Sequence, residues 1–193
     1  MSKKSLRNQV LGTLNSINRI EHLEKSSVIT KRVLISEEFQ SADTIGITIS
    51  RYPEVDTRLL IEAAWTAGKR IAVPKCIHGT REMDFRLITS YDSLETVYMD
   101  LLEPIITETI SVEKKDIDLQ IVPGVVFSDE GYRIGFGGGY YDRYMSDYNG
   151  DTLSLAFAEQ TGHVVPSEHH DIPVSKIVTE EKVINCQKKD FCK

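Results

Sequence analysis

Between residues 44 and 75 the chain switches its apolar period twice. "TIGITIS" (44–50) is β-branched and bounded by polar residues, which predicts a strand. "RLLIEAAWTA" (58–67) then places its apolar residues at helical spacing, with Asp56 or Thr57 available as a cap and Gly68 where a helix would end. "KRIAVPK" (69–75) returns to a strand pattern. A strand, a helix and a second strand in so short a span predict a parallel pair with a helical crossover.

The rest of the chain extends this order. Ser2 is a predicted cap for a helix carrying Leu6, Val10, Leu14 and Ile17 on one face, and a second helical stretch covers Ile20 to Phe39. "MDFRLI" (83–88) alternates as an edge or hairpin strand. "IDLQIVPGVVF" (117–127) predicts a buried strand running into a loop. "GYYDRYMSDY" (139–148) predicts the first turns of a helix, "TLSLAFA" (152–158) a strand, and "KIVTEEKVIN" (176–185) short strands at the C-terminal edge. No repeat or linker interrupts the 193 residues, so they predict a single α/β domain over 1–193. The expected architecture is a Rossmann-like three-layer sandwich with a largely parallel central sheet.

Ligands of such sheets bind beyond the carboxyl ends of the strands. Four loops are expected there, at 50–56, 74–82, 123–139 and 159–171, and they hold most of the notable polar residues. The net charge of −6 excludes a general nucleic-acid footprint and requires an anionic ligand to find a local basic cluster or a metal. No apolar run approaches the roughly 18 residues of a membrane span, and no apolar segment follows the basic start "MSKKSLRNQV". Three cysteines, Cys76, Cys186 and Cys192, form no CxxC pair, which argues against a disulfide framework and for a reducing cytoplasm.

"RIGFGGGYYDR" (133–143) is the densest chemical signal. Its glycines permit positive φ and expose successive N–H groups as an anion nest, with a helix start behind them. Arg133 offers a forked phosphate contact, and Asp142 suits Mg²⁺ beside a phosphate. No Lys-Ser/Thr pair follows the glycines, and Tyr140 replaces the last glycine of GxGxxG, so neither common phosphate motif applies. At the other end, "KKSLR" puts Lys3, Lys4 and Arg7 in the first turns of a helix, against its dipole, where an anionic ligand would meet them.

"PGVVFSDEGYRIGFGGGYYDRY" resembles the signature of the 5-formyltetrahydrofolate cyclo-ligase (methenyltetrahydrofolate synthetase) family: a Pro-Gly strand exit, an Asp, then Gly-x-Arg-x-Gly-x-Gly-x-Gly-Tyr-Tyr-Asp. "KKSLR", "EVDT" (54–57), "GKRIAVPK" (68–75), "LAFAEQ" (155–160) and "HDIPVSKIVTE" (170–180) agree in order and spacing. The resemblance implies an enzyme that uses MgATP to convert 5-formyltetrahydrofolate to 5,10-methenyltetrahydrofolate, ADP and phosphate through a phosphorylated formyl group. It implies ATP contacts from Lys3, Lys4, Ser5, Leu6 and Arg7, and from Arg133, Ile134, Gly135, Phe136, Gly137, Gly138, Gly139, Tyr140 and Tyr141. Folate contacts are implied for Ile49 and Glu54 and for Phe136 to Tyr140, and magnesium ligation for Asp142 and Asp171. Phe136 and Gly138 occupy variable positions of the pattern, and Lys75 is a further candidate phosphate contact. The implied partners are small molecules, with no nucleic acid or membrane, for a monomer or homodimer.

Adjacent His169 and His170 cannot both face one site on a regular element, so a histidine zinc site is not expected, and Asp171 is the better ligand of a hard cation. Trp65 shares its helix with Leu60, Ile61 and Ala64 and reads as core. Two alternatives use the same residues: a non-catalytic folate or nucleotide binder, and a sugar-phosphate isomerase on a related scaffold. The second has no use for the basic N-terminal segment.

Overall fold

The computed structural model describes residues 2–186; Cys192 lies outside them. Three helices precede the sheet: α1 (Lys3–Ser16), α2 (Arg19–Leu34) and α3 (Glu37–Ser41). The Ser2 side chain accepts from the Ser5 N–H and starts α1. The expected single helix over 20–39 is two. Ile35 ends α2, and Ser36 caps α3 by accepting from the Phe39 N–H.

The strands are β1 (Thr44–Gly46), β2 (Arg70–Ile77), β3 (Glu82–Ile88), β4 (Leu94–Thr96), β5 (Leu102–Pro104), β6 (Ile110–Ser111), β7 (Leu119–Ile121), β8 (Val126–Phe127), β9 (Arg133–Ile134), β10 (Asp151–Leu155), β11 (Lys176–Val178) and β12 (Val183–Asn185). Helix α4 (Arg58–Thr66) is the crossover from β1 to β2, and α5 (Tyr140–Met145) follows the glycine loop. Gly68, at φ +76°, closes the end of α4 in the left-handed conformation that a glycine there permits.

Eight strands form one sheet in the order β12-β11-β10-β7-β1-β2-β3-β6. β11, β10, β7, β1 and β2 run parallel; β12 and β3 join them antiparallel, and β6 pairs antiparallel with β3 at the far edge. Two hydrophobic clusters cover its faces. One joins Ile45, Ile71, Leu119 and Leu153 to α1, α2 and α4; the other joins Ala72, Phe85, Val122 and Ile177 to Tyr144 and Met145 of α5. Helices therefore cover both faces, the three-layer arrangement expected.

Two strand boundaries differ from expectation. Pairing of "TIGITIS" stops at Gly46, although Ile47 and Ile49 stay buried beyond it. β2 runs on to Ile77, because its antiparallel partner β3 supplies a second ladder after β1 has ended. The chain leaves β1 for β2 on one side and later returns to place β7 on the other. The carboxyl ends of β1 and β7 thus flank a topological switch point, where open α/β sheets bind their ligands.

Candidate active site

A cavity of about 30 Å³ opens at that switch point, lined by Thr48, Glu54 and Thr57 after β1, Pro123 and Gly124 after β7, and Gln160. The loop carrying Glu54 is braced from within. Ser50 and Thr57 exchange hydrogen bonds, each backbone N–H donating to the other's hydroxyl at 2.9 Å, and the Thr57 hydroxyl donates to the Thr48 carbonyl. α2 fixes the same loop from outside: His22 Nε2 lies 2.7 Å from the Glu54 carbonyl, and Ser26 Oγ accepts from the Asp56 N–H. The Glu54 carboxyl is half-buried, and burial pushes its pKa up to about 7 against the opposing charge of Arg51. Ile49 is buried, so its side chain packs the floor of this loop.

The second wall is the hairpin of β8 and β9 with the glycine loop behind it. Gly137, at φ +95°, and Gly139, at φ +68°, turn the chain into α5, and Gly139 stands at its N-cap position. Phe136 is 61% exposed at the loop's tip, whereas Ile134 is core. Arg7 Nη1 donates to the Gly135 carbonyl at 3.1 Å, so α1 reaches the loop directly. Lys4 and Ser5 are exposed beside it, and Leu6 is buried and anchors the helix.

Asp142 and Asp171 are drawn together by one peptide. Asp142 Oδ1 accepts from Arg133 Nη2 at 3.0 Å and from the Ile172 N–H at 3.1 Å. Arg133 Nη1 donates to the Ile172 carbonyl at 2.6 Å. Asp171 Oδ2 accepts from Lys3 Nζ at 2.9 Å and from the Glu168 N–H at 2.8 Å. Burial alone would raise the Asp171 pKa, but the Glu168 N–H and Lys3 outweigh it and hold the carboxylate below its ordinary range. Burial alone would lower Lys3, and its bonds to Asp171 and Glu168 hold it above the usual lysine value. Among the described residues no group of three His, Cys, Asp or Glu side chains converges. A cation here would take one or two carboxylates and complete its shell from ligand and water.

Two expected phosphate contacts are already engaged. The Arg133 side chain is only 5% exposed and its fork grips Asp142 and Ile172, so it points into the protein. Lys75 pairs with Glu95 at 2.6 Å and Glu103 at 3.4 Å, carboxylates of the β4–β5 hairpin. Trp65 is partly buried against the core, and its indole N–H donates to the Ile88 carbonyl. His169 and His170 stack edge to face with ring centroids 5.2 Å apart.

Sequence reasoning missed Gln160, whose amide accepts from the Phe157 N–H and donates to the Gly124 and Val125 carbonyls, tying the loops after β10 and β7. It also missed Lys25 of α2, which bridges Glu159 and Glu180. A buried glutamine and a half-buried lysine carry no periodic signal; only their place in "LAFAEQ" and in a helix marked them.

The fold and these loops define a doubly wound α/β protein in which the basic N-terminal helix, the glycine loop and the segment at 171–172 meet one another. Its known likenesses are consistent in kind. The chain belongs to the 5-formyltetrahydrofolate cyclo-ligase family, whose sequence pattern matches residues 1–180. It is 28% identical to the mouse 5-formyltetrahydrofolate cyclo-ligase over 93% of this chain and 94% of that one. It is 30% identical to a probable 5-formyltetrahydrofolate cyclo-ligase of Schizosaccharomyces pombe, over 92% and 97%. The solved structure of Aquifex aeolicus 5,10-methenyltetrahydrofolate synthetase superimposes with a TM-score of 0.85 at 29% identity, covering 100% of this chain and 97% of that one.

Proposed function

We propose that this protein is an enzyme that cyclises 5-formyltetrahydrofolate to 5,10-methenyltetrahydrofolate at the expense of ATP. The observation that carries the reading is the family match over residues 1–180, supported by the contacts that join the N-terminal helix, the glycine loop and residues 171–172. Glu54 would accept hydrogen bonds from the amino and ring N–H groups of the pterin, with Ile49 beneath. Phe136 to Tyr140 would border the folate. Lys3, Lys4, Ser5 and Arg7 would meet the nucleotide, facing the N–H groups of the loop from Ile134 to Tyr141.

Magnesium fits the donor set. Asp142 Oδ2 makes no hydrogen bond to the described residues, and Asp171 already holds a cation, the Lys3 ammonium. Few carboxylates with substrate phosphate and water is how Mg²⁺ is commonly bound. Bound there, the ion would neutralise charge on the polyphosphate. The protein's share is to hold Asp142 and Asp171 on one side, through Arg133 and Ile172, and to seat the two substrates in line.

In the proposed reaction the formyl oxygen attacks the γ-phosphorus and the bond to ADP breaks, giving a phosphorylated formyl group on N5. N10 then attacks the formyl carbon, the C–O bond breaks, and phosphate leaves with the bonding electrons while N10 gives up its proton. Substrate labelled with ¹⁸O in the formyl group tests this path. The label is expected in the released phosphate, and its appearance in water instead would contradict the route.

No helix among the described residues is long and apolar enough to cross a membrane. We propose a cytoplasmic enzyme acting as a monomer or homodimer on small-molecule substrates, and not on nucleic acid.

A further inference from the structure

Helix α2 buries His22, Ser26, Ile29 and Val33 on one face. Ile29 and Val33 belong to the hydrophobic core. The polar pair one turn apart at the start of that face does something else: both side chains meet the loop that carries Glu54. His22 is only 4% exposed, and a buried imidazole N–H needs an acceptor. Its Nε2 lies 2.7 Å from the Glu54 carbonyl oxygen. A carbonyl only accepts, so Nε2 carries the proton and donates to the loop. Two rings hold the imidazole in that orientation, Tyr52 with centroids 5.1 Å apart and Phe157 edge-on at 5.3 Å. Tyr52 is itself anchored, its hydroxyl donating to the Ile17 carbonyl and the Arg19 guanidinium lying 3.8 Å from its ring centre.

Both backbone polar groups of Glu54 are therefore engaged. Its N–H donates to the Arg51 carbonyl at 2.9 Å, which closes a turn within the loop, and its carbonyl accepts from His22. The first bond is local and moves with the loop. The second ties Glu54 to a helix, and among the described residues no other side chain bonds its backbone. The bonds from Ser26 to Asp56 and between Ser50 and Thr57 brace other residues of the same loop. Glu54 lines the switch-point cavity with Thr48 and Thr57. The direction of a side chain follows from the backbone that carries it. Recognition groups need to be held within about 0.5 Å of the productive geometry, which a loop achieves only with such support.

We propose that His22 is a positioning residue for folate recognition: its Nε2–H bond to the Glu54 carbonyl sets the direction of the Glu54 carboxyl toward the pterin. This rests on the pterin contact proposed above for Glu54. His22 touches neither substrate and gives up no proton. It acts on how well the pterin is held, so its loss falls on folate affinity and KM for folate more than on kcat. ATP is held by other segments and keeps its KM. A core-filling role for the same ring predicts something different, a fall in stability with no preference between the two substrates.

The test uses the whole chain with His22→Leu, His22→Gln and His22→Asn. Leucine keeps an apolar body and removes the donor. Glutamine loses the ring but keeps an N–H long enough to reach the carbonyl, and asparagine loses the ring and stops short of it. Affinity for 5-formyltetrahydrofolate without nucleotide, KM for both substrates and the melting temperature are measured for each. His22→Leu and His22→Asn are expected to weaken folate affinity about tenfold and to leave KM for ATP within about twofold. His22→Gln should stay within about threefold of wild type in folate affinity even where its melting temperature falls. The glutamine and asparagine variants carry the comparison if the leucine variant does not fold. Combined with Glu54→Ala, His22→Asn should cost no more than about a further twofold, because the carboxyl it directs is gone. Folate affinity that follows melting temperature across the variants, or that falls equally with and without the Glu54 side chain, overturns the proposal. A wild type that turns over, with undiminished folate affinity in His22→Leu and His22→Asn, sinks this inference alone. A wild type that neither binds folate nor turns it over sinks the reaction and this inference with it.

Discussion

Arg133 and Asp142 meet at 3.0 Å and together hold both backbone polar groups of one residue: Asp142 accepts the Ile172 N–H, and Arg133 donates to the Ile172 carbonyl. The residue before it is Asp171. A buried guanidinium thus links the start of α5 to the segment before β11, and it fixes two carboxylates from distant parts of the chain. Arg133 is in this account a positioning residue and not a phosphate clamp.

Replacing Arg133 breaks a buried ion pair, leaves the Ile172 carbonyl without its donor and leaves Asp142 Oδ1 with the Ile172 N–H alone. Arg133→Ala is expected to destabilise the fold by about 3 kcal/mol and to lower kcat/KM by at least about tenfold. Arg133→Lys should not rescue either quantity, since one ammonium cannot reproduce the planar fork. Urea unfolding and steady-state kinetics check this; a lysine variant with wild-type values would remove the clamp from the account.

Asp142→Asn and Asp171→Asn should each raise the magnesium concentration needed for half-maximal activity, by about tenfold, or about 1.4 kcal/mol. The amide still accepts hydrogen bonds from Ile172 or Glu168, so the melting temperature should move less than it does for Arg133→Ala. Activity titrated against Mg²⁺ at fixed ATP provides the measurement. An unchanged midpoint in both variants would refute the assignment of the metal to these residues.

Gly135 and Gly137 are both glycine for different reasons. Gly137 needs one because φ is +95°. Gly135 has no positive φ, and a Cβ built there meets nothing within 4 Å. The fold does not require glycine at 135, but a ligand approaching the backbone would. Gly135→Ala should therefore leave stability within about 0.5 kcal/mol of wild type while raising KM for ATP several-fold. Gly137→Ala should lower stability and raise KM for ATP as well. Thermal melts beside ATP kinetics separate the two; a destabilised Gly135→Ala with normal KM would show a structural role instead.

Glu54 carries a pH signature. Its carboxyl titrates near 4.5 in an ordinary setting and near 7 here, because burial disfavours the charge. Between those values the folded protein holds a proton that the unfolded chain has released, so this group's contribution to stability is complete below about 4.5 and is lost as pH rises to about 7. Glu54→Gln should remove that downward slope, seen as the difference in unfolding midpoint between variant and wild type across the window. Folate binding should do the opposite, strengthening as pH rises through about 7, because the pterin N–H groups need an ionised acceptor. A flat difference in the first experiment would show that Glu54 is not desolvated.

Much of the fold was legible because it rests on local period. The β1–α4–β2 unit, the β2–β3 hairpin and the Gly68 stop all follow from apolar spacing and one left-handed residue. The β4–β5 hairpin was not legible, since Leu94 to Pro104 mixes short polar and apolar steps with no sustained alternation. The site was legible as a set of residues, through its motif, and illegible as a set of contacts. Nothing in the order of the chain says that the Arg133 fork turns inward to Ile172, or that Lys75 is held by Glu95 and Glu103. Both facts depend on segments that are separate in sequence meeting in the fold.

The central claim is that these loops bring a folate formyl oxygen to the γ-phosphate of ATP. Purified protein mixed with 5-formyltetrahydrofolate and MgATP, followed by the absorbance of the methenyl product, tests it most directly. The account predicts methenyl formation that requires both ATP and Mg²⁺, with one ADP released per product. Well-folded protein that forms no methenyl product at any magnesium concentration would contradict it.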